Sequence, residues 1–130
     1  MREIRVVHSV FMASPLVFLA VGYAVGPEQS NMSAYELHVF MVCLASVYLG
    51  GLVASHFLRR SLMRQNLARG ADPIAAFKAA HLVTLAFYES GAIYGLLVAL
   101  LGGPKSYLLA MVAVCLVMMA KDFPSESRLK

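Results

Sequence analysis

Charged residues and tryptophan are scarce in this sequence. Of its 130 residues only 14% are charged and none is tryptophan, whereas 60% are hydrophobic. A water-soluble domain of this size carries more charge on its surface, so the composition excludes an ordinary soluble domain and predicts an integral membrane protein. Membrane lipids are therefore the expected surroundings of the chain.

Cysteine is also rare, and its two copies, Cys43 and Cys115, both lie inside apolar segments. Such cysteines usually act as small buried hydrophobes, so the sequence predicts no disulfide framework. The chain has no phosphate-binding loop, nucleotide fingerprint or nucleophile and base constellation. These absences exclude the usual hydrolytic enzymes and leave open a non-catalytic subunit of an enzyme complex. No resident cofactor is predicted.

Apolar segments long enough for membrane helices make up most of the chain. The predicted spans are 6–25, 34–58, 74–101 and 107–120. We expect an all-α, four-helix transmembrane bundle, with residues 1–130 as a single domain. The last span is short for a bilayer core of about 30 Å unless Lys105 and Lys121 extend to the interfaces.

Polar residues between the spans predict how the helices begin and end. Ser33 followed by Glu36 is typical of a capping box at the start of the second helix. Gly70 favours the end of that helix, and Asp72 before Pro73 predicts a capped start for the third helix.

The basic residues indicate an orientation. Four spans put both termini on one side, and every Lys and Arg except Lys105 falls on that side. By the positive-inside rule both termini and the basic loop 59–73 are cytoplasmic, in a bacterial inner (plasma) membrane. The basic residues are not interleaved with exposed aromatics in a soluble module, so no nucleic-acid partner is predicted. A contact of 59–69 with anionic lipid or RNA remains the alternative to a solvated loop.

Glu89 is the one acidic residue deep inside a predicted span. Charges at such depth are costly, rare and usually functional. Desolvation favours the neutral carboxyl group, which suits reversible binding of a proton or a sodium ion. Ser90 and Tyr94 are candidates to present hydroxyl groups near it, although Ser90 could instead bond back to Ala86. Glu89 could also simply hold the bundle together through an interhelical hydrogen bond.

Small residues at four-residue spacing predict where helices approach closely. They form one stripe on each of the two middle spans: Ser46, Gly50 and Ala54, with Gly51 and Ser55 beside them, then Gly91, Gly95 and Ala99. The two stripes predict a tight hairpin between spans two and three. Glu89 lies about 200° around the helix from Gly91, so it is expected to point toward span one, span four or a neighbouring subunit.

Three histidines, His8, His56 and His81, fall toward the cytoplasmic half of the first three spans. Imidazoles at similar depth on separate helices can ligate haem or a transition metal. None of the three belongs to a paired or four-residue-spaced signature, which favours interfacial or hydrogen-bonded histidines.

The stretch from Thr84 to Leu101, with Glu89, Ser90 and Tyr94, resembles the carboxylate-bearing helix of the rotary ATPase proteolipid, subunit c. The resemblance implies a hairpin with a cytoplasmic polar loop, and it makes these three residues candidate ligands for a proton or sodium ion. Span two lacks the dense glycine pattern of that family and a glutamine near its middle. The chain is more similar to four-span bacterial membrane proteins that carry a c-like third helix.

Three functions are therefore expected as alternatives. The first is an accessory or assembly subunit of a larger membrane complex, associating with other membrane subunits or with itself. The second is an ion-translocating proteolipid that uses Glu89. The third is a haem-binding redox membrane anchor that uses two of His8, His56 and His81.

Overall fold

Four helices make up the described part of the protein. The computed structural model describes residues 2–25 and 32–124. Its helices are Arg2–Ala24 (α1), Ala34–Ala68 (α2), Pro73–Leu100 (α3) and Lys105–Lys121 (α4). No strand occurs within these ranges, so the prediction of an all-α, four-helix fold is confirmed. The interior of the linker before α2, and the basic residues Arg128 and Lys130, lie outside the described residues.

Local capping fixes where α2 and α3 begin. The Ser33 hydroxyl accepts from the Glu36 backbone N–H at 3.2 Å, and the Ser33 N–H donates to the Glu36 carboxylate at 2.7 Å. Asp72 accepts from the N–H groups of Ile74 and Ala75 at 3.1 and 3.2 Å. Gly70 adopts a φ of 79°, which reverses the chain between the two helices. The predicted capping box and Asp72 cap are both confirmed.

Helix α3 is the central element, because α1, α2 and α4 all pack against it and α1 also packs against α4. Side-chain pairs place the start of α1 beside the start of α3, and Lys105 at the start of α4 donates to the Tyr23 carbonyl near the end of α1. We call the end of the bundle where α1 and α3 begin and α2 and α4 finish the basic end.

The core lies mainly between α3 and α4. It is a cluster of buried side chains formed by Leu85, Tyr88, Ala92, Leu108, Val112, Cys115 and Met119. Phe11 and Phe18 of α1 pack against this cluster. In contrast, α2 contributes only Tyr48 and Ser55 as buried residues among its described positions. Most of the surface of α2 therefore faces outward.

The small-residue stripe of α3 is divided among three neighbouring helices. A Cβ atom at Gly91 would overlap the Tyr48 ring of α2. At Gly95 it would lie 3.1 Å from Leu108 Cα of α4. Ala99 lies near Gly22 of α1. Glycines in this stripe therefore let α3 approach both α2 and α4 closely.

The α2 stripe of Ser46, Gly50 and Ala54 is turned outward, whereas Gly51 beside it lies against the Phe87 ring of α3 and Ser55 is buried. No atom lies within 4 Å of a Cβ built at Gly50, and Ser46 and Ala54 are exposed. Tyr48 lies against α3 because its ring fills the space over Gly91 and its hydroxyl donates to the Tyr88 carbonyl at 3.2 Å. The inward face of α2 therefore contains a large buried aromatic ring together with the small residues Gly51 and Ser55.

Three helices, α1, α2 and α3, are long and apolar enough to cross a membrane. The fourth has 17 residues, which at about 1.5 Å per residue is a length of about 26 Å. It is thus slightly shorter than a hydrocarbon core of about 30 Å.

Candidate functional site

Glu89 has a hydrogen-bond partner on another helix. The Ser14 hydroxyl of α1 donates a hydrogen bond to Glu89 Oε1, and both side chains are partly buried. Glu89 therefore points toward span one, which is one of the directions expected from its position opposite the glycines. Ser14 precedes Pro15, which is buried inside α1. The carboxyl group is thus held at an interface within the chain.

Two further polar pairs lie along the same α1–α3 interface. Lys78 donates to the Glu3 carboxylate at 2.9 Å, and His8 Nδ1 lies 2.9 Å from His81 Nε2. The three pairs are separated in sequence by 75, 73 and 75 positions. This nearly constant offset shows that α1 and α3 run parallel and in register. We call these three pairs the polar row.

Ser90 and Tyr94 do not join Glu89. The Ser90 hydroxyl donates to the Phe87 carbonyl at 2.7 Å, inside its own helix. Both residues line an open surface groove with Ala86 and Phe87, whereas Glu89 is held by α1. The three candidate ion ligands are therefore distributed over two sides of α3. Ser90 thus bonds within its own helix, as the alternative expectation stated, but the acceptor is the Phe87 carbonyl rather than that of Ala86.

His8 and His81 form a buried pair. Their rings stack with centroids 5.1 Å apart, the Phe77 ring stacks on His81 at 5.5 Å, and the Phe123 ring packs edge-on against His8 at 5.0 Å. Because the joined nitrogens are 2.9 Å apart, one donates and the other accepts, so the pair shares at least one proton.

The remaining candidate ligand, His56, is exposed on α2 and packs edge-on against Phe57. Metal–imidazole bonds are about 2.0–2.1 Å long. Two nitrogens on opposite sides of one metal ion are therefore about 4 Å apart, which is farther than the His8–His81 contact. Within residues 2–25 and 32–124, no group of three or more His, Cys, Asp or Glu side chains is placed to hold a metal ion.

A second polar cluster joins three helices at the basic end. Tyr88 of α3 donates to the Asp122 carboxylate at 2.6 Å, and Arg59 of α2 contacts the same oxygen at 3.2 Å. The Arg59 guanidinium also lies 5.5 Å from the centroid of the Phe77 ring. Side-chain exposures of 21% for Arg59 and 15% for Asp122 show that the ion pair is largely shielded. This cluster holds the end of α4 against α2 and α3.

The sequence indicates Glu89, His8 and His81 as candidate residues. It does not indicate that Glu89 pairs with Ser14 or that His8 pairs with His81. One signal was present: in a four-span chain α1 and α3 run in the same direction, so residues at equal depth can be matched. Matching the centres of spans 6–25 and 74–101 gives an offset of about 72 positions, close to the 73 between His8 and His81 and the 75 between Ser14 and Glu89. The Arg59–Asp122 contact carries no such signal, because Arg59 begins the predicted basic loop and Asp122 follows the last predicted span.

Comparison of the chain with family models, with curated proteins and with solved structures gave no match.

Proposed function

We propose that this chain is a four-span integral membrane protein that acts as an accessory or assembly subunit of a larger membrane complex. In this arrangement α2 docks against a transmembrane helix of a partner subunit. Ser14 and Glu89 are partnered within the chain, as are the facing nitrogens of His8 and His81, and the outer face of α2 supplies the contact with the complex.

The distribution of charge supports the proposed orientation. Arg59 and Lys78 lie at the basic end of the bundle, whereas Lys105 lies at the opposite end beside Tyr23. Clustering of cations at one end fits a cytoplasmic location for that end in a bacterial inner membrane. For α4 to span, Lys105 and Lys121 extend their ammonium groups to the two interfaces.

The observation that carries the proposal is the outward stripe of small residues on α2. Ser46, Gly50 and Ala54 share this stripe, and no described atom lies within 4 Å of a Cβ at Gly50. In lipid, small residues promote association because they let two helix backbones approach closely. Since α3 packs against a different side of α2, the stripe remains accessible to a partner helix.

The test compares two identical substitutions at exposed alanines. Ala54→Leu adds bulk to the stripe of α2, and Ala113→Leu adds the same bulk to the exposed surface of α4. Tagged variants are purified from native membranes in mild detergent, and the copurifying subunits are quantified by mass spectrometry. We expect Ala54→Leu to lose partners that Ala113→Leu retains. Equal recovery from the two variants would contradict docking through α2.

Ion translocation through Glu89 is the second candidate function. It is favoured by the polar row, which places hydrogen-bonding groups at three depths between α1 and α3. The test is carbodiimide labelling of Glu89 with and without sodium, together with ion flux in proteoliposomes. Protection by sodium and loss of flux in Glu89→Gln would support a carrier role. Unchanged flux in Glu89→Gln would exclude it.

A further inference from the structure

Helices α2 and α4 leave a groove between them. Both pack on α3, yet no Cα atom of α2 lies within 8 Å of one of α4 among the described residues. Side chains bridge the groove at both ends: Arg59 reaches Asp122 at the basic end, and the Tyr107 hydroxyl donates to the Met41 carbonyl at 2.9 Å at the other. Near the basic end the groove contains a cavity of about 320 Å³.

Cationic groups dominate the polar part of this cavity. His56 and Arg59 line it from α2, and Lys121 lines it from the end of α4. The one carboxylate in the lining belongs to Asp122, whose Oδ2 accepts from both Arg59 and Tyr88. Two permanent cations and one anion give the lining a net charge of +1. An anion is therefore the ligand that complements this lining.

The guanidinium of Arg59 is held in place before any ligand binds. One of its N–H groups is directed to Asp122 at 3.2 Å, and its plane lies near the Phe77 ring. Arginine has five N–H donors in a planar fork. Fixing the fork reduces the entropy that is lost when its remaining donors bind the oxygens of a phosphate group.

From these features we infer that the cavity binds a phosphate group, either in the headgroup of an anionic phospholipid or as free phosphate. The apolar lining residues, Leu52 and Met118, lie farther from the basic end than Arg59 and Lys121. The lining thus changes from charged to apolar along the groove. A lipid matches this change, with its phosphate beside the cations and its acyl chain along the apolar part. The lipid source rests on the proposed membrane placement, whereas the free-phosphate source does not.

The lipid test uses two variants that each remove one positive charge at the same end of the bundle. Lys121→Gln changes the cavity lining, and Arg60→Gln changes an exposed arginine that is outside the lining. The protein in nanodiscs of phosphatidylglycerol and phosphatidylcholine is released into detergent, and retained lipid is measured by native mass spectrometry. We expect preferential retention of phosphatidylglycerol, reduced about tenfold by Lys121→Gln, as for loss of one charge-assisted hydrogen bond. The reduction in Arg60→Gln should be clearly smaller.

The free-phosphate test uses delipidated protein in a neutral detergent. Inorganic phosphate should raise the melting temperature of the wild type and of Arg60→Gln more than that of Lys121→Gln. Success in this test without lipid selectivity would assign the site to free phosphate, and success in the lipid test would assign it to the headgroup. The same response from both variants in both tests would overturn the phosphate site. The lipid and phosphate readouts do not involve the outer stripe of α2, so this failure is distinguishable from failure of the proposed subunit role.

Discussion

Each buried or half-buried polar side chain in the polar row has a partner on the neighbouring helix. His8 pairs with His81, and Ser14 pairs with Glu89. In apolar surroundings a polar group without a hydrogen bond is costly, so removing one partner costs more than the bond alone contributes. At this scale Glu89 is an acceptor whose Oε1 is occupied by the Ser14 hydroxyl.

Ser14→Ala is expected to destabilise the protein by about 1 kcal/mol, the upper part of the usual range for hydrogen bonds between membrane helices. Glu89→Gln should have a smaller effect, because the amide oxygen still accepts from Ser14. The free energy of unfolding is measured by denaturant titration in mixed micelles. Ser9→Ala is the control, since the exposed Ser9 hydroxyl donates to the Arg5 carbonyl of its own helix. A loss in Ser9→Ala as large as that in Ser14→Ala would argue against the interhelical bond.

In helices α2 and α3, contacts with neighbouring helices determine which of the regularly spaced glycines are buried. Both carry glycines at regular spacing, yet Gly91 lies against an aromatic ring and Gly50 faces outward. The difference arises from Tyr48, whose ring and hydroxyl are both accommodated on the α3 side. The rotation of α2 is therefore determined by its largest buried side chain.

Two glycine-to-alanine substitutions distinguish the packed position Gly91 from the open position Gly50. Gly91→Ala should destabilise the protein by about 1–3 kcal/mol, because the new methyl group overlaps the Tyr48 ring and forces repacking. Gly50→Ala should range from no change to a gain of about 1 kcal/mol, because alanine favours a helix and the position is open. Thermal unfolding of the two purified variants in the same detergent provides the measurement. A destabilised Gly50→Ala together with an unchanged Gly91→Ala would reverse the assigned faces of α2 and α3.

The helix caps that were predicted correctly depend on residues close together in the sequence. The capping box at Ser33 and the cap at Asp72 involve groups two or three positions apart, so local chemistry determines them. The face of α2 that packs inward depends on Tyr48 meeting Tyr88 and Gly91, about forty positions away. At about 100° per residue, Ser90 and Tyr94 lie about 100° and 140° around α3 from Glu89, so their separation from it follows from the helical period. The side of α3 that α1 occupies depends on contacts between distant residues, and no periodicity within a single helix contains that information.

At the scale of the whole molecule, the start of α1, the end of α4 and two ion pairs lie together at the basic end. The Arg59–Asp122 pair closes the end of α4 against α2, and the Glu3–Lys78 pair joins α1 to α3. This arrangement makes the proposed orientation testable without any knowledge of partners.

Cysteines introduced at opposite ends of the bundle should be labelled from opposite sides of the membrane. In a chain with Cys43 and Cys115 replaced by alanine, Arg64→Cys marks the basic end of α2 and Ser106→Cys marks the start of α4, and both positions are exposed. A membrane-impermeant maleimide added to intact cells should label Ser106→Cys, whereas Arg64→Cys should react only after permeabilisation. Labelling of both cysteines in intact cells would rule out the four-span orientation.

The nearly constant offset of the polar row also restricts how α1 can move against α3. A one-turn slide of one helix along the other shifts every residue by about 5.4 Å, and it would break the bonds of Glu3, His8 and Ser14 in a single step. A tilt about the central histidines would leave their contact nearly unchanged while the two ends separate. A piston motion thus breaks all three contacts of the polar row, whereas rocking about the histidines preserves one of them.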